Sequence, residues 1–330
     1  MIRIAVLDDY AGKAKDLADW ASIPDAEIMY FTEHVSAPEA LVKMLQGFDV
    51  IQMMRERTPF PAEVVDGLPD LKVLSGTGGR HPHVDMDACT RLGIQVTNTS
   101  GSSGVGPGGP TMELAWGLII GLMRHIPWED RRIREGHWQT RMGTGLSGKT
   151  LGIMGLGSIG IPMANIANAL GMKVIAWSRS LTTERAEALG ATCVSWDELF
   201  EYSDVLTIHV PLSNYSRGWV GARELGLMKQ TAYLVNTSRG PIVQTDALVD
   251  ALRNNSIAGA AIDVYDSEPV SPDHPLLAME NVVLTPHLGY ASVEGLSNFY
   301  QGAVANIKAW VLDEPMNVAN AAVEGNERKR

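Results

Sequence analysis

The stretch TLGIMGLGSIGIPMANIANAL, Thr150 to Leu170, constrains this chain more than any other. A short apolar run leads into Gly155, Gly157 and Gly160, and a helix-forming run of small residues follows. Strand, G-x-G-x-x-G and helix, in that order, specify the opening of a βαβ unit built for a dinucleotide. Gly155 permits the tight turn. Gly157 lets the backbone approach a pyrophosphate, and Gly160 lets helix and strand pack closely. Ser158 and Ile159 then lie at a helix start, where outward N–H groups attract phosphate. The first strand of the chain, IRIAVL, is followed instead by DDYAGK, whose Asp8 and Asp9 would repel a phosphate. Only the second unit has the composition of a dinucleotide site.

Around that unit the same rhythm recurs. IRIAVL, AEIMYF, DVIQMM and LKVLS read as strands, with helical patterns such as APEALVKMLQGF between them. TLGIMG, KVIAWS, DVLTIHV, TAYLVNTS, GAAIDV and NVVLTPH read as six more. Alternation of this kind predicts an α/β protein with doubly wound parallel sheets. A length of 330 residues fits two domains of roughly 150 residues each. The Gly- and Ser-rich run Thr99–Gly109 is the clearest break, and with Gly289–Gly295 it is expected to serve as a hinge. A helical pattern from Ser292 to Trp310 is expected to pack back on the first domain.

Composition excludes several classes. A net charge of −11 argues against nucleic acid or an anionic membrane as partner. The longest apolar run, LAWGLIIGLM, is half the about 20 residues a membrane span needs, and predicts a buried helix between domains or subunits. Two cysteines cannot build a disulfide framework, and MIRIAVLDDY lacks the pattern of a secretory leader. A cytoplasmic protein is expected.

Three stretches follow late strands: NTSRG (Asn236–Gly240), DVYDSEP (Asp263–Pro269) and TPHLGY (Thr285–Tyr290). Ligands of open α/β sheets bind outside the carboxyl ends of strands, so Arg239, Glu268 and His287 could share a crevice. Singly, each has a plain structural reading: a surface ion pair, a turn residue, a core histidine. Together they suit reduction of a 2-keto acid. A cation binds the carboxylate, a histidine supplies a proton as hydride arrives, and a carboxylate beside the histidine favours its charged form.

With these motifs the chain resembles the D-isomer-specific 2-hydroxyacid dehydrogenase family, over nearly its whole length and best from Leu146 to Tyr290. Glyoxylate and hydroxypyruvate reductases are members. The resemblance implies that Arg239 binds substrate, Glu268 and His287 form the acid–base pair, and Asp263 contacts the nicotinamide. It places His209, Val210 and Pro211 of HVPLS beside the adenine, and adds Thr237, Ser238 and Gly289 to the cofactor site. Gly78 and Gly79 of GTGGR would offer backbone N–H groups to a substrate carboxylate. It also implies a Rossmann dinucleotide-binding domain, residues 101–290, inserted into a flavodoxin-like substrate domain made of 1–100 and 291–330, and a homodimer. A dinucleotide-sensing corepressor-like protein on the same fold is the alternative function. Formate dehydrogenase is set aside because Glu268 stands where that enzyme has glutamine; phosphite oxidation uses a similar trio.

The chain also departs from the family. In MMRERTPF, the residues Met53, Met54, Arg55 and Phe60 are expected to wall the substrate pocket, with Arg55 open either to a second anionic group or to a surface ion pair with Glu56 or a neighbouring acid. Tyr290, where relatives carry a small residue, would line it too, and with Phe60 would accept an aromatic or branched substrate. His81, His83 and Asp85 alternate like metal ligands, but Pro82 between them argues for a loop, so no metal is expected. Finally, the strand KVIAW runs into Ser178, Arg179 and Ser180, where an NAD site normally carries an acid for the ribose. That favours NADP(H), with NAD(H) also possible: two hydroxyls and a guanidinium can meet a 2′-phosphate.

Overall fold

The computed structural model describes residues 1–79, 81–99 and 108–320. The chain divides into two compact units, Met1–Gly104 with Val293–Arg330, and Val105–Ser292.

The first unit holds five strands: β1 (Ile2–Val6), β2 (Ala26–Tyr30), β3 (Val50–Met53), β4 (Val73–Gly76) and β5 (Gln95–Thr97). All pair in parallel, in the order β2-β1-β3-β4-β5, which is the flavodoxin-like winding. Ile51, Leu74 and Val96 turn to one face and join a core with Leu41, Leu45, Phe60 and Leu71. The opposite face meets the long helix Val293–Val311, so the chain returns to its first unit after leaving the second. Tyr300 packs 6.0 Å from Trp20, Ser297 Oγ donates to Leu17 O at 3.0 Å, and Asn306 Nδ2 donates to Asn98 O at 2.7 Å.

The second unit holds β6 (Thr150–Met154), β7 (Lys173–Trp177), β8 (Thr192–Cys193), β9 (Val205–Ile208), β10 (Tyr233–Asn236), β11 (Gly259–Ile262) and β12 (Val282–Leu284). Their order is β12-β11-β10-β9-β6-β7-β8, again all parallel. Read from β8 inward this is the Rossmann winding with one added strand, and it reverses between β6 and β9. Alternate residues feed two cores, as a sheet covered on both faces requires. Leu151, Ile153, Val205 and Val235 enter one; Met154, Leu206, Ile208 and Leu234 enter the other. The apolar run at Leu114–Met123 lies in the helix Gly109–Met123, and Ala115, Trp116, Leu118 and Ile119 bury themselves in the first of these cores.

Two strands escaped the sequence reading. β5 has three residues, two of them polar, and β8 has two; neither presents a run long enough to show a period. Phe60 corrects another expectation. It is fully buried in the first unit's core with Met53, and Met54 is 2% exposed, so none of the three walls a pocket. No helix among the described residues is long and apolar enough to cross a membrane.

Candidate active site

The glycine loop leaves β6 at its carboxyl end. Gly155 has φ +104°, a conformation L side chains rarely adopt, and a Cβ there would lie 2.8 Å from His209 O. A Cβ on Gly160 would lie 2.2 Å from Gly155 O, so the helix Gly160–Ala169 can sit this close only with hydrogen at that position. Gly157 differs: a Cβ there meets nothing within 4 Å. Two glycines make the turn, and the third leaves its backbone open to a ligand at the helix start, beside Ser158 and Ile159. Ser178 Oγ, one residue past β7, accepts the Leu156 N–H at 2.9 Å and braces the loop from the neighbouring strand.

The carboxyl ends of β9 and β10 carry polar atoms that nothing described satisfies. Thr237 Oγ1 and His209 Nδ1 are buried without a hydrogen-bond partner. A bound molecule with its own donors and acceptors suits such atoms, because leaving them unpaired costs about 1–3 kcal/mol each. His209 Nε2 lies 2.9 Å from Thr207 Oγ1, and burial holds this imidazole down to about 4, so it is neutral at pH 7. Val210 O accepts the Ser238 hydroxyl and Pro211 O accepts Ser216 Oγ at 2.8 Å, which fixes the strand-end loop as a wall. The loop, the helix start and these orphaned atoms fit a dinucleotide. Arg179 and Ser180 lie exposed beyond β7, and the Arg179 guanidinium pairs with no carboxylate among the described residues.

Arg239, Glu268 and His287 follow the adjacent strands β10, β11 and β12. Glu268 Oε2 meets His287 Nδ1 at 2.6 Å, while Oε1 accepts the Tyr265 N–H at 3.0 Å. Arg239 Nη1 donates to Ser238 O at 2.7 Å, and Asn236 Nδ2 donates to Arg239 O at 3.0 Å, so the arginine's own turn is braced. Tyr290 stands edge-on to the His287 ring, with centroids 5.5 Å apart.

The structure gives Asp263 a part that its sequence did not show. Its carboxylate is fully buried, and burial raises its affinity for a proton. Oδ1 accepts Thr285 Oγ1 at 2.6 Å and Leu288 N–H at 2.7 Å; Oδ2 accepts Gly289 N–H at 3.0 Å. The Asp263 backbone O accepts the His287 N–H at 2.8 Å. One residue thus pins both sides of the turn that presents His287, whose φ is +54°. Thr111, which sequence reasoning also missed, holds the same turn through Oγ1 to Gly289 O at 2.6 Å. A lone threonine at a helix start carries no signal of that contact.

The first unit contributes separately. Arg55 has φ +54°, and its N–H donates to Thr77 Oγ1 at 2.6 Å. Its guanidinium lies 3.9 Å from Glu56 and 5.7 Å from the Phe299 ring. Gly78 has φ +95°, a conformation L side chains rarely adopt, and Arg55 Nη1 stands where its Cβ would come within 2.4 Å. The Gly78 N–H is committed to Thr99 Oγ1 at 2.8 Å, which leaves Gly79 as the backbone donor of the pair. Arg80 and the Gly-rich run at 100–107 lie outside the described residues. His81 Nε2 meets Asn98 Oδ1 at 2.7 Å and Asp85 caps a helix through the Ala88 N–H, while both ring nitrogens of His83 are buried without a hydrogen-bond partner.

Residues 116–289 match the model of the D-isomer specific 2-hydroxyacid dehydrogenase NAD binding domain. A glyoxylate reductase of Aeropyrum pernix is 40% identical over 271 residues, covering 79% of this chain and 80% of its own. A hydroxypyruvate reductase of Blautia hydrogenotrophica is 30% identical over 331 residues, covering 97% and 100%. Among solved structures, a phosphoglycerate oxidoreductase from Vibrio cholerae O395 superposes with a TM-score of 0.89 at 34% identity, over 95% of this chain and all of the other.

Proposed function

This chain belongs to the D-isomer specific 2-hydroxyacid dehydrogenase family, and from that premise we propose how its own residues perform NAD-type reduction of a 2-keto acid. The observation that carries the proposal is the 2.6 Å contact of Glu268 with His287, one strand away from Arg239. A reduced nicotinamide, when bound, supplies the hydride that reaches the keto carbon. Arg239 holds the substrate carboxylate through parallel N–H donors and draws electron density from the adjacent ketone. His287 gives the ketone oxygen its proton from Nε2, since Nδ1 faces Glu268. Glu268 fixes the tautomer and offsets the imidazolium charge. Asp263 keeps the histidine's turn in place.

Glyoxylate and hydroxypyruvate are the first substrates to try, because relatives at 40% and 30% identity are reductases of those names. A panel of 2-keto acids of rising size, assayed with each reduced cofactor, tests the proposal. Turnover with none of them overturns it.

Ser178 accepts a loop N–H yet keeps its own hydroxyl hydrogen to donate. Arg179 is exposed beside it, and no acid at that strand end repels a 2′-phosphate. NADPH is therefore the proposed preferred coenzyme. A charge-assisted contact is worth about 1.5–3 kcal/mol, roughly ten- to a hundredfold. Arg179→Ala is expected to weaken NADPH by that factor and leave NADH nearly unchanged. Equal losses for both, measured as dissociation constants, would show that this loop does not read the phosphate.

A further inference from the structure

Tyr215 is a large aromatic side chain left 75% exposed, on the loop that follows β9. Its ring lies under the Arg179 guanidinium, with the Arg179 Cζ 5.9 Å from the centroid. Nothing in the second unit's packing needs the ring there: it belongs to neither core cluster. Its backbone, by contrast, is firmly set. Ser213 N–H donates to Ser216 Oγ at 2.8 Å, and Ser216 Oγ donates to Pro211 O at 2.8 Å, so Tyr215 rides on a closed turn.

The two side chains share a foundation. Trp177 ends β7 one residue before Ser178, and Trp219 follows Tyr215 by four residues. Their rings meet edge-on at 5.4 Å, and each meets Trp196, at 4.6 and 5.6 Å. One aromatic cluster therefore roots both the Arg179 turn and the Tyr215 turn. The separation between guanidinium and ring is set by packing below them, although both tips are in water.

From this juxtaposition we propose that Tyr215 is a positioning residue for coenzyme choice: its ring holds Arg179 over the adenosine end, ready for a 2′-phosphate. The inference rests on the NADPH reading above. An exposed arginine samples many rotamers, and fixing it on a phosphate loses that freedom. A ring that already holds the guanidinium removes part of the loss. The interaction uses the ring face and not the hydroxyl, so phenylalanine should replace tyrosine. An exposed cation–π contact of this kind corresponds to roughly a two- to fivefold effect on binding.

Calorimetric titration of the full chain with adenosine 2′,5′-bisphosphate and with adenosine 5′-diphosphate tests this without turnover. The parent is expected to prefer the bisphosphate. Tyr215→Ala should weaken the bisphosphate about two- to fivefold and leave the diphosphate unchanged, and Tyr215→Phe should bind both as the parent does. If the parent binds the two probes equally, the NADPH reading fails and takes this inference with it. If the parent discriminates and Tyr215→Ala discriminates just as well, the inference alone is overturned. It is overturned too if Tyr215→Ala weakens both probes alike, or if Tyr215→Phe loses what Tyr215→Ala loses.

Discussion

Replacing His287 by alanine is expected to lower kcat by about 10²–10⁴ while the dissociation constant of the dinucleotide hardly moves. The size follows from the role. A proton must reach the ketone oxygen as hydride arrives, and water in a closed site is a poor substitute for a positioned imidazole. The selectivity follows from the structure: the glycine loop and helix start belong to β6, whereas His287 belongs to the turn after β12. Glu268→Gln should show a smaller loss of the same kind, since an amide still accepts a hydrogen bond but carries no charge. Stopped-flow measurement of the single-turnover rate at saturating coenzyme reads the chemical step directly. Near-normal turnover in His287→Ala would remove the histidine from the mechanism.

Arg239→Lys is expected to lose more than tenfold in kcat/KM although the charge is kept. A guanidinium offers a planar pair of donors that match a carboxylate; an ammonium is a compact point charge on a longer, looser stem. Here the geometry is further fixed, because Arg239 spends one nitrogen on Ser238 O and its turn is held by Asn236. Lysine could not reproduce both contacts. Losing one charge-assisted bond corresponds to about 1.5–3 kcal/mol, or ten- to a hundredfold. A kcat/KM within about threefold of the parent for the best keto acid would show that the carboxylate is held elsewhere, since tenfold corresponds to 1.4 kcal/mol.

The sequence showed most clearly those features that depend on local chemistry. Gly155 and Gly160 are legible because a side chain at either would run into backbone, His209 O at 2.8 Å for the first and Gly155 O at 2.2 Å for the second. The long strands are legible because both faces of each sheet are buried, which makes their runs continuous. Features that depend on distant contacts were not legible. Phe60 sits in a loop-like run of charges and prolines, yet its ring belongs to a core assembled from three helices and four strands. Asp263 was read from resemblance as a cofactor contact; that four of its hydrogen bonds organise the His287 turn depends on residues more than 20 positions away. Thr111 meets Gly289 across 178 positions, and Tyr215, after β9, meets Arg179, after β7, with β6 between those strands. No period or spacing in a single chain encodes such pairs.

The left-handed backbone of His287 sets durability against activity. Glycine would adopt φ +54° without the strain that an imidazole-bearing residue stores there, about 1 kcal/mol or more. Selection for heat resistance alone would therefore favour losing this histidine, and a mutant library screened by melting temperature should return His287→Gly among inactive but robust variants. Its Tm at or above the parent's is the expected reading; a clear fall would mean that the Glu268 bond outweighs the strain. The histidine persists in such a chain only while something demands its proton.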